Sequence, residues 1–318
     1  METIAAARDN LLAPPLLFFV LGIVAARVRS DLAIPAAIAQ GLSIYLLAAI
    51  GLKGGWRLRE AGFSGAIALQ LAAAVALGLA IAVIAFLLLD RLSRLTRFDR
   101  AALAAHYGSG SVVTFVTAAE FLTRQGVAYE GQLVAMMALM EAPAIMVGIW
   151  LARRNSVDAG HEITHLFTSG SVVILLGALL VGILSGPDGH AQTGAFFIDP
   201  FAGLLTLFLL DMGLKAGARL GDFKGMGWGL AAFAIYMPLI GASLGIGVGA
   251  AVGLSHGGTT LLAVLAASAS YIAAPAAVRQ SIPEANPTYY GTLPLALTFP
   301  FNVTLGIPLY FELSRLVT

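Results

Sequence analysis

From Ala61 to Leu89 the chain carries no Asp, Glu, Lys or Arg. About 20 such residues already cross the hydrocarbon of a bilayer. There, every backbone N–H and C=O must be bonded inside the protein, which a lone segment achieves only as a helix. Membrane barrels would instead show short stretches of alternating polarity. The same pattern recurs along the chain, giving ten apolar spans at roughly 11–28, 33–52, 62–89, 100–122, 131–151, 167–186, 195–215, 226–253, 259–279 and 289–313. Only 11% of residues are charged, against about a quarter in soluble domains, so the fold class is an all-α polytopic membrane protein. A formal charge of +1 offers no footprint for nucleic acid, and with no cysteine there are no disulfides, thiol-linked haems, iron–sulfur clusters or thiolate zinc sites. Arg8 and the apolar run from Leu11 to Ala26 have the outline of a signal peptide. Because further spans follow at once, the run is read as the first membrane helix.

The two halves of the chain resemble each other. Gly51-Leu52-Lys53-Gly54-Gly55-Trp56-Arg57-Leu58 matches Gly213-Leu214-Lys215-Ala216-Gly217-Ala218-Arg219-Leu220 at an offset of 162. Gly108-Ser109-Gly110-Ser111 matches Ala267-Ser268-Ala269-Ser270 at 159, and Gly148-Ile149 matches Gly306-Ile307 at 158. Three matches in one order and at nearly one spacing indicate an internal repeat. Residues 1–152 form a first five-helix repeat, 153–166 a short cytoplasmic linker and 167–318 a second repeat. After an odd number of crossings the chain re-enters from the other side, so the second repeat is inverted. That is the plan of many secondary transporters, which bind substrate near the midplane on broken helices in corresponding positions. Twelve of the 18 Lys and Arg residues fall on one side, from Arg27 through Arg279, and six on the other. The richer side is cytoplasmic by the positive-inside rule, which puts both termini outside.

Ser109 to Ser111 and Ser268 to Ser270 lie within the fourth and ninth spans. Gly and Ser are poor inside helices, and a backbone group freed in hydrocarbon is tolerated only against protein or a wet cavity. The two stretches are therefore expected to be helix breaks that line a site, with Ser111 and Ser270 capping the second half of each helix. Two half-helix N-termini converging there supply about one unit of positive potential, which suits a monovalent anion. The serine hydroxyls and freed carbonyls could also ligate a hard cation such as sodium. Against this stands the packing reading, in which small residues only mark close helix contact.

Glu141 is the one charged residue between Glu130 and Arg153, two positions before Pro143. An ionisable group there costs on the order of 2.5–3.5 kcal/mol to insert and is a functional candidate. Asp211 and Lys215, at i and i+4, form a local ion pair, and Lys53 snorkels to the interface. His106 and Tyr271 each either line the site or serve packing. Asn302 stitches helices or acts as a ligand. His161-Glu162-Ile163-Thr164-His165 fits the zinc-protease pattern. It lies in the polar linker, and Asp211 is the one acid available as a third ligand.

At the breaks, and over most of the chain, the sequence resembles the sodium-dependent bicarbonate permeases of bacteria. The resemblance is carried by Ile50 through Gly55, Gly108-Ser109-Gly110-Ser111, Leu265 through Ser270, Glu141-Ala142-Pro143-Ala144, and Ile282-Pro283-Glu284-Ala285-Asn286-Pro287. It implies ten spans in two inverted five-helix repeats, a homotrimer, and bicarbonate with sodium bound where the broken helices meet. It also implies elevator-like movement of a core domain against a gate domain. Ser109, Gly110, Ser111, Ser268, Ala269 and Ser270 are the residues it places against substrate or ion, with Tyr271 and Glu141 as further site candidates. Where the family reads Ser-Ser-Ser-Asp, this chain has Ser268-Ala269-Ser270-Tyr271. Its linker is shorter than the insert through which a small regulatory protein acts in the family, so no such partner is expected. The reading is a plasma-membrane secondary transporter for a small anion, bicarbonate first, coupled to sodium and using no other cofactor. Alternatives are a permease for another small metabolite and an intramembrane zinc protease.

Overall fold

In the computed structural model the described residues are 12–62, 64–153, 170–271 and 273–318. His161, Glu162 and His165 lie outside them, as does almost all of the linker. Among the described residues the protein is entirely helical, and seven helices are long and apolar enough to cross a membrane. We number the helices α1 (Pro14–Arg27), α2 (Ala36–Ala61), α3 (Gly65–Leu92), α4 (Arg97–Gly108), α5 (Val112–Arg124) and α6 (Leu133–Arg153). They continue with α7 (Gly170–Phe197), α8 (Phe201–Arg219), α9 (Trp228–Ala251), α10 (His256–Ala267), α11 (Ala273–Ser281) and α12 (Pro287–Arg315).

Chain chemistry sets the ends and bends of these helices. Ser64, Thr96, Ser111 and Ser255 cap α3, α4, α5 and α10 by accepting a first-turn N–H. In α7, Gly186 at φ +57 followed by Pro187 kinks the helix. Pro187 has no N–H to offer the carbonyl of Ile183. Arg59 supplies the missing donor, bonding the carbonyls of Ile183 and Leu184 at 2.7 and 2.8 Å. This corrects the seventh span, read from residue 195: helix continues from the kink to Phe197, and α8 begins at Phe201. In α12, two π turns at Pro294–Thr298 and Asn302–Gly306 take up the interior prolines.

The helices sort into two groups. Among the described residues the most extensive helix contacts are α2 on α7 and α1 on α8. Both are glycine seams of the small-xxx-small kind. A Cβ on Gly51 would stand 2.7 Å from the Leu175 carbonyl, and one on Gly182 would stand 3.0 Å from the Cα of Gly55. Across the other seam, a Cβ on Gly22 would stand 2.8 Å from the Leu214 nitrogen, and one on Gly217 would stand 2.8 Å from the Ile23 carbonyl. The second group packs α3 on α4 and α6, and α9 on α10, which in turn meets α12.

Two carboxylates lock this second group at opposite ends. Asp99, in the first turn of α4, accepts the Asn286 N–H before α12 at 2.7 Å. Glu130, before α6, accepts the Ser255 N–H before α10 at 2.6 Å and the Ser255 hydroxyl at 3.0 Å. Arg153, at the end of α6, pairs with both oxygens of Glu284 at 3.1 and 3.2 Å.

Candidate functional site

The stretch between α4 and α5 leaves helical geometry at Gly110, whose φ of +67 favours glycine. Ser111 then starts α5, its hydroxyl accepting the Thr114 N–H at 3.3 Å. In the other half, α10 stops at Ala267 and α11 begins at Ala273, with the Ser270 hydroxyl accepting the Ala274 N–H at 3.3 Å. The two interruptions touch. Ser111 donates its N–H to the Ser268 hydroxyl at 2.7 Å, and that hydroxyl donates to the Leu265 carbonyl at 2.9 Å. In return, Ser270 donates its N–H to the His106 carbonyl, near the end of α4, at 2.8 Å. Backbone groups freed by one interruption are thus satisfied by the other.

The π turns of α12 add a second brace. Asn302 donates to the carbonyl of Ala267, the last residue of α10, at 2.8 Å, and accepts the Tyr310 hydroxyl at 2.9 Å. Thr298 bonds Tyr107 of α4 at 2.7 Å and the Ala234 carbonyl of α9 at 2.9 Å. Asn302 therefore stitches helices, one of the two roles open to it from sequence.

Beside this crossing lies a cavity with about 480 Å³ of atom-free space, its open mouth included. It is lined by Ser111, Val112, Val113 and Val116 of α5, by Ser270 and Tyr271 of the second interruption and by Glu141 of α6. The other helix group contributes Ser43, Leu46 and Leu47 of α2 and Phe208 of α8. The cavity thus sits on the boundary between the two groups.

Of the residues singled out from sequence, Ser111, Ser270, Tyr271 and Glu141 line this cavity. Ser109, Gly110, Ser268 and Ala269 form the crossing behind it. Glu141 is 6% exposed, and among the described residues it has no hydrogen bond or ion pair. The Tyr271 hydroxyl lies beside Ser111 but makes no hydrogen bond of normal geometry, and Ser109 Oγ and His106 Nε2 are likewise buried without partners. The other ring nitrogen of His106 bonds the Ala102 carbonyl at 2.7 Å and the ring packs on Tyr290, so this histidine serves packing.

Lys53 sits over the Phe201 ring, 4.2 Å from its centre. Asp211 pairs with Lys215 at 2.6 Å, as the i, i+4 spacing implies, and that engagement weighs against it as a zinc ligand. Among the described residues no group of three or more His, Asp or Glu could hold a metal ion. Sequence reasoning missed Ser43 and Phe208. A lone serine in an apolar span is a weak signal, because its hydroxyl usually bonds back to its own helix.

What this arrangement can do is bind a small charged solute. Two half-helix N-termini meet at a site with unspent hydroxyls and one unpaired carboxyl, in walls otherwise apolar. A family model for the Na+-dependent bicarbonate transporter superfamily matches residues 14–315. No curated protein matches the chain.

Proposed function

The chain belongs to the Na+-dependent bicarbonate transporter superfamily, and from that premise we propose that it carries bicarbonate with sodium across the plasma membrane of a bacterium. The observation that carries the proposal is the mutual bonding of the two interruptions, Ser111 to Ser268 and Ser270 to His106, at the edge of the cavity. It supports a site in which α5 and α11 present their N-terminal N–H groups to one small anion from opposite sides. Ser111, Ser270 and Tyr271 supply hydroxyls around it. Ser109, Gly110, Ser268 and Ala269 hold the two helix ends in place.

The twelve helices read as ten crossings when α4 with α5 and α10 with α11 each count as one interrupted span. On that count residues 1–152 and 167–318 are inverted repeats joined by the linker 153–166. Three pairings support the inversion. The seam of α2 on α7 has its counterpart in α8 on α1, with Gly51 and Gly55 answering to Gly213 and Gly217. The lock of α4 to the start of α12 has its counterpart in that of α10 to the start of α6. The two interruptions are the third. Helices α1, α2, α7 and α8 then form a gate, the remaining eight a core, and the core slides past the gate with its cargo. The Lys and Arg count favours termini on the outside. The family also implies a homotrimer, and the outward apolar faces of α1 and α7, with Leu21, Val24, Val181 and Leu184 exposed, meet lipid or a neighbouring copy.

The test is uptake of labelled bicarbonate into proteoliposomes under an inward sodium gradient. We expect saturable uptake that collapses when the gradient is dissipated and falls at least tenfold, about 1.4 kcal/mol of binding, in a Ser111→Ala, Ser270→Ala double variant. Uptake of a neutral or carboxylate metabolite instead of bicarbonate would move the substrate, not the mechanism.

A further inference from the structure

We propose that Lys53 of α2 and Glu120 of α5 form a charge latch between gate and core, which holds one end of the passage from the cavity closed until the core slides. The inference rests on reading the four-helix group as a gate and the other group as a core that moves past it. Both residues lie beyond the cavity on helices that line it. Lys53 follows Leu46 by seven positions, about two turns of α2, and Glu120 follows Val116 by four, about one turn of α5. Phe201, whose ring centre lies 4.2 Å from the Lys53 ammonium, precedes the cavity-lining Phe208 by seven positions of α8. Three walls of the cavity thus bring a cation, a carboxylate and an aromatic ring to the same end.

The attraction between the two charges runs from one group to the other. Both side chains are partly buried, and among the described residues neither makes a hydrogen bond or a contact ion pair. Each nonetheless stands in the field of the other, and the carboxylate that acts on Lys53 is Glu120. Arg57 also acts on Lys53 and Arg124 on Glu120. Each of these lies on the same helix as the group it acts on and moves with it, so only the Lys53–Glu120 term changes when the two groups shift. Around the pair the groups are in close contact. Arg57 lies 4.3 Å over the Tyr129 ring and donates to the Tyr129 carbonyl at 3.4 Å. A Cβ on Gly131, just before α6, would stand 2.7 Å from the Leu58 nitrogen of α2.

The repeat supplies the comparison at the opposite end of the front. The counterpart of Lys53 is Lys215, 162 positions on, and that of Glu120 is Arg279, 159 positions on. Lys215 is paired at 2.6 Å with Asp211 of its own α8, and Arg279 is itself a cation. An attraction of this kind therefore has no equivalent there. The two ends differ in energy, and the latch favours the arrangement in which the Lys53 end is closed.

Ala61→Cys at the end of α2 and Gln125→Cys just after α5 are exposed positions on a chain with no cysteine of its own. Spin labels on this pair, in the full-length protein in lipid nanodiscs, report the distance between gate and core by double electron–electron resonance. Two distances are expected, the shorter one dominant and matching this structure. Lys53→Met and Glu120→Gln should each raise the ratio of long to short about threefold to fivefold. The swap of Lys53→Glu with Glu120→Lys should bring the ratio back to within about twofold of wild type, and Lys215→Met should leave it there. Ratios unmoved in both single variants overturn the inference. So does a swap that fails to restore them, which marks a packing effect. If the Glu120 variants do not fold, Lys53→Met against Lys53→Arg decides, since Arg keeps the charge and should keep the ratio. Two distances that ignore these charges sink the latch and leave the sliding mechanism standing. One distance in every variant, with bicarbonate uptake intact, sinks the sliding mechanism and the latch with it.

Discussion

Ser109 and Ser268 occupy equivalent places 159 positions apart, yet they do different work. Ser268 inserts its hydroxyl between the Ser111 N–H and the Leu265 carbonyl. On the other side the Ser270 N–H reaches the His106 carbonyl directly, so the Ser109 hydroxyl is left over and buried without a partner. A buried N–H that loses its acceptor costs about 1–3 kcal/mol, while removing an unpaired hydroxyl costs little. Ser268→Ala should therefore lower the melting temperature of the purified protein clearly, and Ser109→Ala should leave it nearly unchanged. Equal effects would mean that the two halves meet symmetrically. From sequence Ser109 and Ser268 are indistinguishable, because each stands two positions before the serine expected to cap the second half of its helix. Only the relative shift of the interruptions, by one hydrogen-bonding step, separates the bracing serine from the spare one.

At the scale of elements, the Gly51 and Gly213 stretches were legible as a repeat but not as a seam. A glycine in a membrane span can mark a break, a bend or a close approach, and the sequence does not say which. The two pairs Gly51–Gly55 and Gly213–Gly217 prove to be close approaches, with backbone of the opposite helix where a Cβ would stand. Overpacking of this kind costs about 1–3 kcal/mol. Gly51→Val and Gly213→Val should each destabilise the protein by that order in thermal melts, whereas Gly41→Val, on the same α2 with open space around it, should not. If Gly213→Val alone were tolerated, the two seams would not be equivalent and the inverted repeat would lose one of its supports. That the chain is built of membrane-spanning helices was legible, and seven of them are long and apolar enough to cross among the described residues, because the absence of charge over about 20 residues is a thermodynamic demand. The kinked end of α7 was partly missed, since helix resumes after Gly186 and Pro187 where polarity rises.

For the molecule as a whole, the cavity lies on the front where the two helix groups meet. Ser43, Leu46, Leu47 and Phe208 belong to the four-helix group, while Ser111, Glu141, Ser270 and Tyr271 belong to the other. Sequence could not deliver that front, because the side of α2 or α8 that faces the broken helices depends on how the seams rotate those helices. On the proposed mechanism, a site shared across such a boundary is emptied and refilled when one body moves against the other, which makes the front itself testable. The chain has no cysteine, so introduced pairs report without background. Bridging Leu47→Cys to Val116→Cys, both on the cavity wall but in different bodies, should abolish uptake, and reduction should restore it. Bridging Leu52→Cys to Ala178→Cys, which pack together inside the seam of α2 on α7, should leave uptake largely intact. Transport that survives the first bridge would require the substrate to pass without relative motion of the two bodies, through a path that opens within the core alone.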